Sequence, residues 1–278
     1  MTLMRVKWKG AMTMIIMVLC HCTPMIPTAF IYAKTTRAGS VFKIRNNNIR
    51  KALRLWMSDP TTARRVYGPI EKWDTRRVTA MDSLFLGSQN FGEDISKWDV
   101  SNVRSMQWLF YNSANFTADI SRWDVSQVTD MTMAFAYTTN FKSDVSMWDT
   151  SAVSSLWYSF AYSSDFEGNI SNWNTASVTS MQGTFQHSSR LDPGGKLQWD
   201  TTQVEDMTHV LSNASWFNHV VCWNVTSASV ESLQQAYCDR SGTGGFDCNC
   251  IPPHLRGSIN KECFFPSPAC IRDAAVAA

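Results

Sequence analysis

Carboxylates recur in this chain at a spacing that suggests chemistry. Asp94, Asp119 and Asp144 lie 25 residues apart and are continued by Asn169. Asp99, Asp124, Asp149 and Asn174 form a second series five residues later. If folding brings each series into register, neighbouring carboxylates stand about 5 Å apart. They then repel unless each accepts hydrogen bonds or shares a cation. Calcium-binding nonapeptide repeats use such rows, but with paired glycines that are missing here. Paired carboxylates can also hydrolyse glycosides, with Asp94 and Asp119 as the candidate pair. That chemistry needs two acids in unlike environments, and nothing breaks either series to single out one pair. The simpler expectation is that the acids and the Ser residues near them cap the first amides of a short helix in each unit. His187 and His209 fall in successive repeats, but the five histidines do not recur with the period. G-x-S-x-G, P-loop, H-E-x-x-H and G-x-G-x-x-G motifs are all missing from the sequence. No catalytic residue, metal ligand or cofactor is assigned.

A second constellation is redox chemistry. Cys222, Cys238, Cys248, Cys250, Cys263 and Cys270 crowd the last 57 residues. An even, clustered set in an exported chain reads as a disulfide framework, with fifteen possible pairings. Zinc is disfavoured because Cys248-Asn-Cys250 has one intervening residue instead of two to four. Export is suggested by the first 33 residues. Arg5, Lys7 and Lys9 precede an apolar run from Ala11 to Cys20, and the uncharged stretch continues to Ala33. This matches a secretory signal peptide cleaved near Ala29 or Ala33; an uncleaved membrane anchor is the alternative. Asn115, Asn169, Asn213 and Asn224 each begin a glycosylation sequon.

Net charge is +2, so nothing argues for a nucleic-acid partner. Residues 34–78 hold twelve Lys or Arg against three acids, which suits an anionic partner or simply a solvated helical face.

The elements that position these groups are set by a tryptophan ruler. Trp73, Trp98, Trp123, Trp148 and Trp173 are 25 residues apart, followed by Trp199 and Trp223. Val recurs five residues after each Trp (Val78 to Val204), Met or Leu at eight (Met81 to Met207), Phe or Leu at twelve (Phe85 to Leu211) and again at eighteen (Phe91 to Phe217). A fixed period of this length marks a solenoid or array, in which each unit buries its apolar face only on its neighbours. With 44% hydrophobic and 12% aromatic residues, the chain can build a continuous core.

Within one unit, Val103, Met106 and Phe110 fall on one face of a short helix. Asp94 to Trp98 reads as a short strand, bent because both Ile95 and Trp98 must face inward. The expected fold is an α/β repeat solenoid: about six 25-residue strand–helix turns in a right-handed, leucine-rich-repeat-like stack. Before it, Ile49, Ala52, Leu53 and Trp56 mark a helix, Asp59-Pro60 ends it, and Pro60 to Arg65 can make a second short helix, ended by Gly68-Pro69. The expected layout is a signal segment at 1–33, a basic helical N-terminal cap at 34–69, the repeats at 70–226 and a Cys-rich cap at 227–278. Specificity is expected from positions that vary between units. These are Lys97 and Arg122, just before their Trp, and the aromatic residues Tyr111, Tyr137, Tyr158 and Tyr162.

The string Asp94-Ile-Ser-Lys-Trp98-Asp-Val-Ser-Asn-Val103-Arg-Ser-Met106 resembles the BspA-like leucine-rich-repeat surface proteins. Val128-Thr-Asp-Met131 and Val178-Thr-Ser-Met181 fit the same pattern, and the likeness runs from residue 67 to about 226. The resemblance implies an exported protein with a role in adhesion or recognition of protein or glycan, and supplies no catalytic residue. The alternatives are a structural wall or matrix component, a cytosolic interaction scaffold and a glycan-active enzyme.

Overall fold

The computed structural model describes residues 43–217, 221–223 and 262–264. All of them belong to one compact unit, Gly39–Ala278. The signal segment, Asn224, Cys238, Cys248, Cys250 and Cys270 lie outside the described residues.

The described chain opens with β1 (Lys43–Arg45), α1 (Ile49–Ser58) and α2 (Pro60–Tyr67). The periodicity that places α1 also buries it: Ile49, Ala52, Leu53 and Trp56 are all enclosed. Asn48 lies at the start of α1 but does not cap it with its side chain, which accepts instead from the Arg45 amide at 2.8 Å. Asp59 does cap α2, accepting from the Thr62 amide at 2.9 Å, and Pro60 fills the first turn, where no amide donor is needed. Trp56 and Tyr67 then meet Trp73 edge-on, with ring centroids 5.9 and 6.1 Å away. β1 pairs in parallel with β2 (Asp74–Arg77). Asn46 joins them further by accepting from the Thr79 amide and donating to its hydroxyl.

From Trp73 onward, units lie on one another in parallel register. Bridges connect Ala80 to Ser105, Ser105 to Asp130, Asp130 to Ser155, Ser155 to Ser180 and Ser180 to Asp206. The conformation within a unit differs from the strand and helix expected. Asp94 to Trp98 is no strand: the Ser96 amide folds back to the Asp94 carboxylate, and the Trp98 amide closes a turn on the Ile95 carbonyl.

The segment from Met106 to Asn112 is no helix. Its amides alternate in destination. Met106, Trp108, Phe110 and Asn112 donate to the next unit, at Asp130, Thr132, Ala134 and Ala136. Leu109, Tyr111 and Ser113 close turns on the residue three earlier. Each unit holds two left-handed residues four apart, ten and fourteen places after its Trp. These pairs are Ser83 and Gly87, Trp108 and Asn112, Met133 and Tyr137, Tyr158 and Tyr162, Gly183 and His187, and His209 and Asn213. A run of turns repeating every four residues buries much the same positions as a 3.6-residue helix. Met106, Leu109, Phe110 and Ser113 are accordingly all enclosed.

Columns of like residues fill the interior. Phe85, Phe110, Phe135, Phe160 and Phe185 form a continuous stack with centroid spacings of 4.9 to 5.7 Å. Trp173, Trp199 and Trp223 stack at 6.4 and 6.3 Å. Burying each such side chain contributes about 1.5–3 kcal/mol, so the columns dominate cohesion. Polar groups inside the stack are matched between units. The indole N–H groups of Trp98, Trp123, Trp148, Trp173 and Trp199 donate to the carbonyls of Ile70, Ile95, Ile120, Val145 and Ile170. The hydroxyls of Ser113, Thr138, Ser163 and Ser188 donate to the carbonyls of Phe85, Phe110, Phe135 and Phe160.

At the far end, β3 (Val221–Trp223) pairs antiparallel with β4 (Glu262–Phe264). Val221 also bridges in parallel to Leu197.

Candidate recognition surface

The acid series serves the backbone. Asp94, Asp119, Asp144 and Asn169 each accept from the amide two residues on, at Ser96, Ser121, Ser146 and Ser171. Asp99, Asp124, Asp149 and Asn174 do the same toward Ser101, Ser126, Ser151 and Ala176. These are Asx turns, in which a short side chain replaces a backbone acceptor. Asn fills the same role, which explains why the fourth member of each series need not be charged. Hydrogen bonds from Ser96, helped by the Lys97 charge, hold the Asp94 carboxyl below its usual range. Ser121 does the same for Asp119, with Ser143 and Arg122 adding to it, and Ser151 does so for Asp149. Among the described residues, no three His, Cys, Asp or Glu side chains group as they would to hold a metal ion.

Lys97 and Arg122 therefore belong with the acid series, on exposed corners just before their Trp. The next residue at that corner, Met147, is 85% exposed. The tyrosines gather elsewhere. Tyr111 meets Tyr137 edge-on at 5.4 Å, Tyr137 lies flat on Tyr162 at 4.4 Å, and Tyr162 lies flat on His187 at 4.5 Å. Asn213 extends the row through a 3.2 Å hydrogen bond between its amide nitrogen and His187 Nε2. Tyr158 stands apart, edge-on to Trp157 at 5.1 Å. The stacked tyrosines thus run along one line of the molecule, while Tyr158, Lys97 and Arg122 lie off it.

Four members of this row, Tyr137, Tyr162, His187 and Asn213, are left-handed, and the first three carry a ring. A bulky residue there costs roughly 1–2 kcal/mol. Each ring pair returns about 0.5–1.5 kcal/mol, and the left-handed amides from Ser83 to His187 also reach the unit beyond, as Tyr137 does to Ala161 at 2.8 Å. The strain and its compensation are of similar size, so the row is tolerated rather than strongly stabilising. His187 and Asn213 were not grouped with the tyrosines from sequence. The signal was available: Gly87, Asn112 and Asn213 share the column fourteen places after Trp, and Gly and Asn are the residues that most readily adopt positive φ.

The described sequons differ in exposure. Asn115 is exposed, although its carbonyl oxygen accepts from Asn140 at 3.0 Å. Asn169 is half-buried and crowds Gly194 so closely that a Cβ there would lie 2.4 Å from it. Asn213 is committed to His187.

No curated protein and no solved structure gives a significant match to this chain. A family model does match, over residues 59–161 and again over 129–241, so that most of the described chain is covered. The chain therefore belongs to the family described as Mycoplasma protein of unknown function, DUF285.

Proposed function

We propose that this chain is a non-catalytic recognition module of the BspA-like type, a right-handed, leucine-rich-repeat-like solenoid exported from the cell. In this reading it binds an extracellular protein or glycan through one long edge. The observation that carries the reading is the row Tyr111, Tyr137, Tyr162, His187 and Asn213. Aromatic residues at left-handed positions give the fold little net stability, so their alignment is better explained by what they present to a partner.

The geometry also bears on how a partner would be held. Tyr137 and Tyr162 cover each other's inner faces at 4.4 Å. A sugar ring cannot stack between them, so contact falls to ring edges, phenol hydroxyls and the neighbouring amides. Tyr137, at 40% exposure, is the most accessible ring of the row. The acid series supports the non-catalytic part of the reading, because its carboxylates are engaged with their own backbone.

The test is binding of the full chain, produced in a secretory host, to arrays of extracellular proteins and glycans. Saturable binding is expected, and it should be lost in Tyr137→Ser/Tyr162→Ser but kept in Lys97→Ala/Arg122→Ala. Binding that survives the tyrosine changes and fails with the lysine and arginine changes overturns the assignment of the surface. Recovery of the chain only inside the cell overturns the exported reading.

A further inference from the structure

We propose that Cys222 and Cys263 are joined in a disulfide that fastens the C-terminal segment to the last tryptophan of the row. The inference rests on the exported reading, because thiols are oxidised stably in that compartment. The carrying observation is backbone register. β3 and β4 pair antiparallel, with Val221 opposite Phe264, Cys222 opposite Cys263 and Trp223 opposite Glu262. Directly opposed positions in such a pair have Cα atoms about 4.5–5.5 Å apart. A disulfide spans about 4.4–6.8 Å between Cα atoms, so this register needs no backbone movement to accept one. Two cysteines at one rung of a two-stranded ribbon are hard to explain otherwise in a chain whose 25-residue repeats contain none before Cys222.

The position gives the bond a task. Trp223 stacks on Trp199 at 6.3 Å, and Val221 bridges to Leu197, so β3 belongs to the end of the repeat row. β4 comes from roughly forty residues further along the chain and adds a strand running the opposite way. Exposed edges invite pairing with other chains, and a covalently held antiparallel strand removes that opportunity. The bond forms by exchange. One thiolate attacks a disulfide oxidant, glutathione disulfide or a protein equivalent, and releases one thiol; the second thiolate then displaces the other. Fixing this pair reduces the fifteen pairings to three among Cys238, Cys248, Cys250 and Cys270.

The experiment is disulfide mapping of the secreted full chain. Free thiols are alkylated without reduction, and the protein is digested with trypsin and chymotrypsin together. Cleavage after Phe217, Trp223, Lys261 and Phe264 separates Cys222 from Cys238 and Cys263 from Cys250 and Cys270. The expected product is the Cys222 peptide bonded to Glu262–Phe264, split into two by reductant. Either peptide found alkylated, or bonded to a different cysteine, in the secreted chain overturns the pairing and leaves the export reading standing. If the chain stays inside the cell fully alkylated, the export reading fails. The same mapping after refolding in a glutathione redox buffer then decides the pairing by itself.

Discussion

Two glycines separate the cost of a left-handed backbone from the cost of close approach. Gly87 and Gly183 both have positive φ, at 69° and 59°. A Cβ on Gly87 would meet nothing within 4 Å, whereas one on Gly183 would lie 2.6 Å from Cε1 of Tyr158 in the preceding unit. Gly87→Ala should therefore cost only the conformational term, roughly 1–2 kcal/mol. Gly183→Ala adds displacement of the Tyr158 ring, about 1–3 kcal/mol, for a total of about 2–5 kcal/mol. The excess should vanish in a Tyr158→Ser background, since Ser83 already occupies the equivalent position in the first unit. Urea unfolding of the four variants and the parent gives the coupling energy directly. Equal losses at the two glycines, or an unchanged Gly183→Ala loss without the Tyr158 ring, would show that successive units do not meet as described.

Further outcomes follow from the hydrogen bonds between units. Trp123→Phe keeps an aromatic ring but removes the indole donor that reaches the Ile95 carbonyl at 3.2 Å in a buried setting, leaving that carbonyl with the Trp98 amide; chemical unfolding should show a loss of about 0.5–1.5 kcal/mol from that bond alone. Asp94, Asp119 and Asp149 all titrate lower folded than unfolded. Their contribution is therefore present above about pH 4, the unfolded value, and is lost as pH falls through the lowered folded values. The triple change Asp94→Asn, Asp119→Asn, Asp149→Asn keeps the Asx turns, as Asn169 and Asn174 do, and should flatten the fall in melting temperature between pH 5 and pH 2. A fall as steep as the parent's in the triple variant would place the acid sensitivity elsewhere.

Much of the interior was legible from residue spacing, because Trp, Val, Met and Phe at fixed offsets have to meet their own counterparts once units repeat. Val103, Met106 and Phe110 are all buried, and so are their equivalents in the other units. What misled was the assignment of a backbone to that pattern. Turns with a left-handed residue every fourth place reproduce helical burial, and Trp108, Met133 and Tyr158 carry no local sign of positive φ. Their conformation is imposed from outside the segment, by amides that must reach carbonyls 24 residues further on, as Trp108 does at Thr132 and Met133 at Trp157. The acids do hold backbone amides, but in Asx turns and not as caps of a helix, because no helix follows them. Of the positions that vary between units, Tyr111, Tyr137 and Tyr162 fall in one row, while Tyr158, Lys97 and Arg122 lie off it, the last two beside the acids.

The most direct test of the account is removal of one whole unit. Deleting residues 124–148 takes out 25 residues and joins Trp123 to Asp149, so that the Trp-Asp sequence at the junction is restored. The chain should remain folded, unfold cooperatively, and show a denaturant slope reduced in step with the surface removed. Deleting 124–136, about half a unit, should abolish cooperative unfolding. If the whole-unit deletion unfolds the protein, or the half-unit deletion is tolerated equally well, the units are not interchangeable layers in 25-residue register.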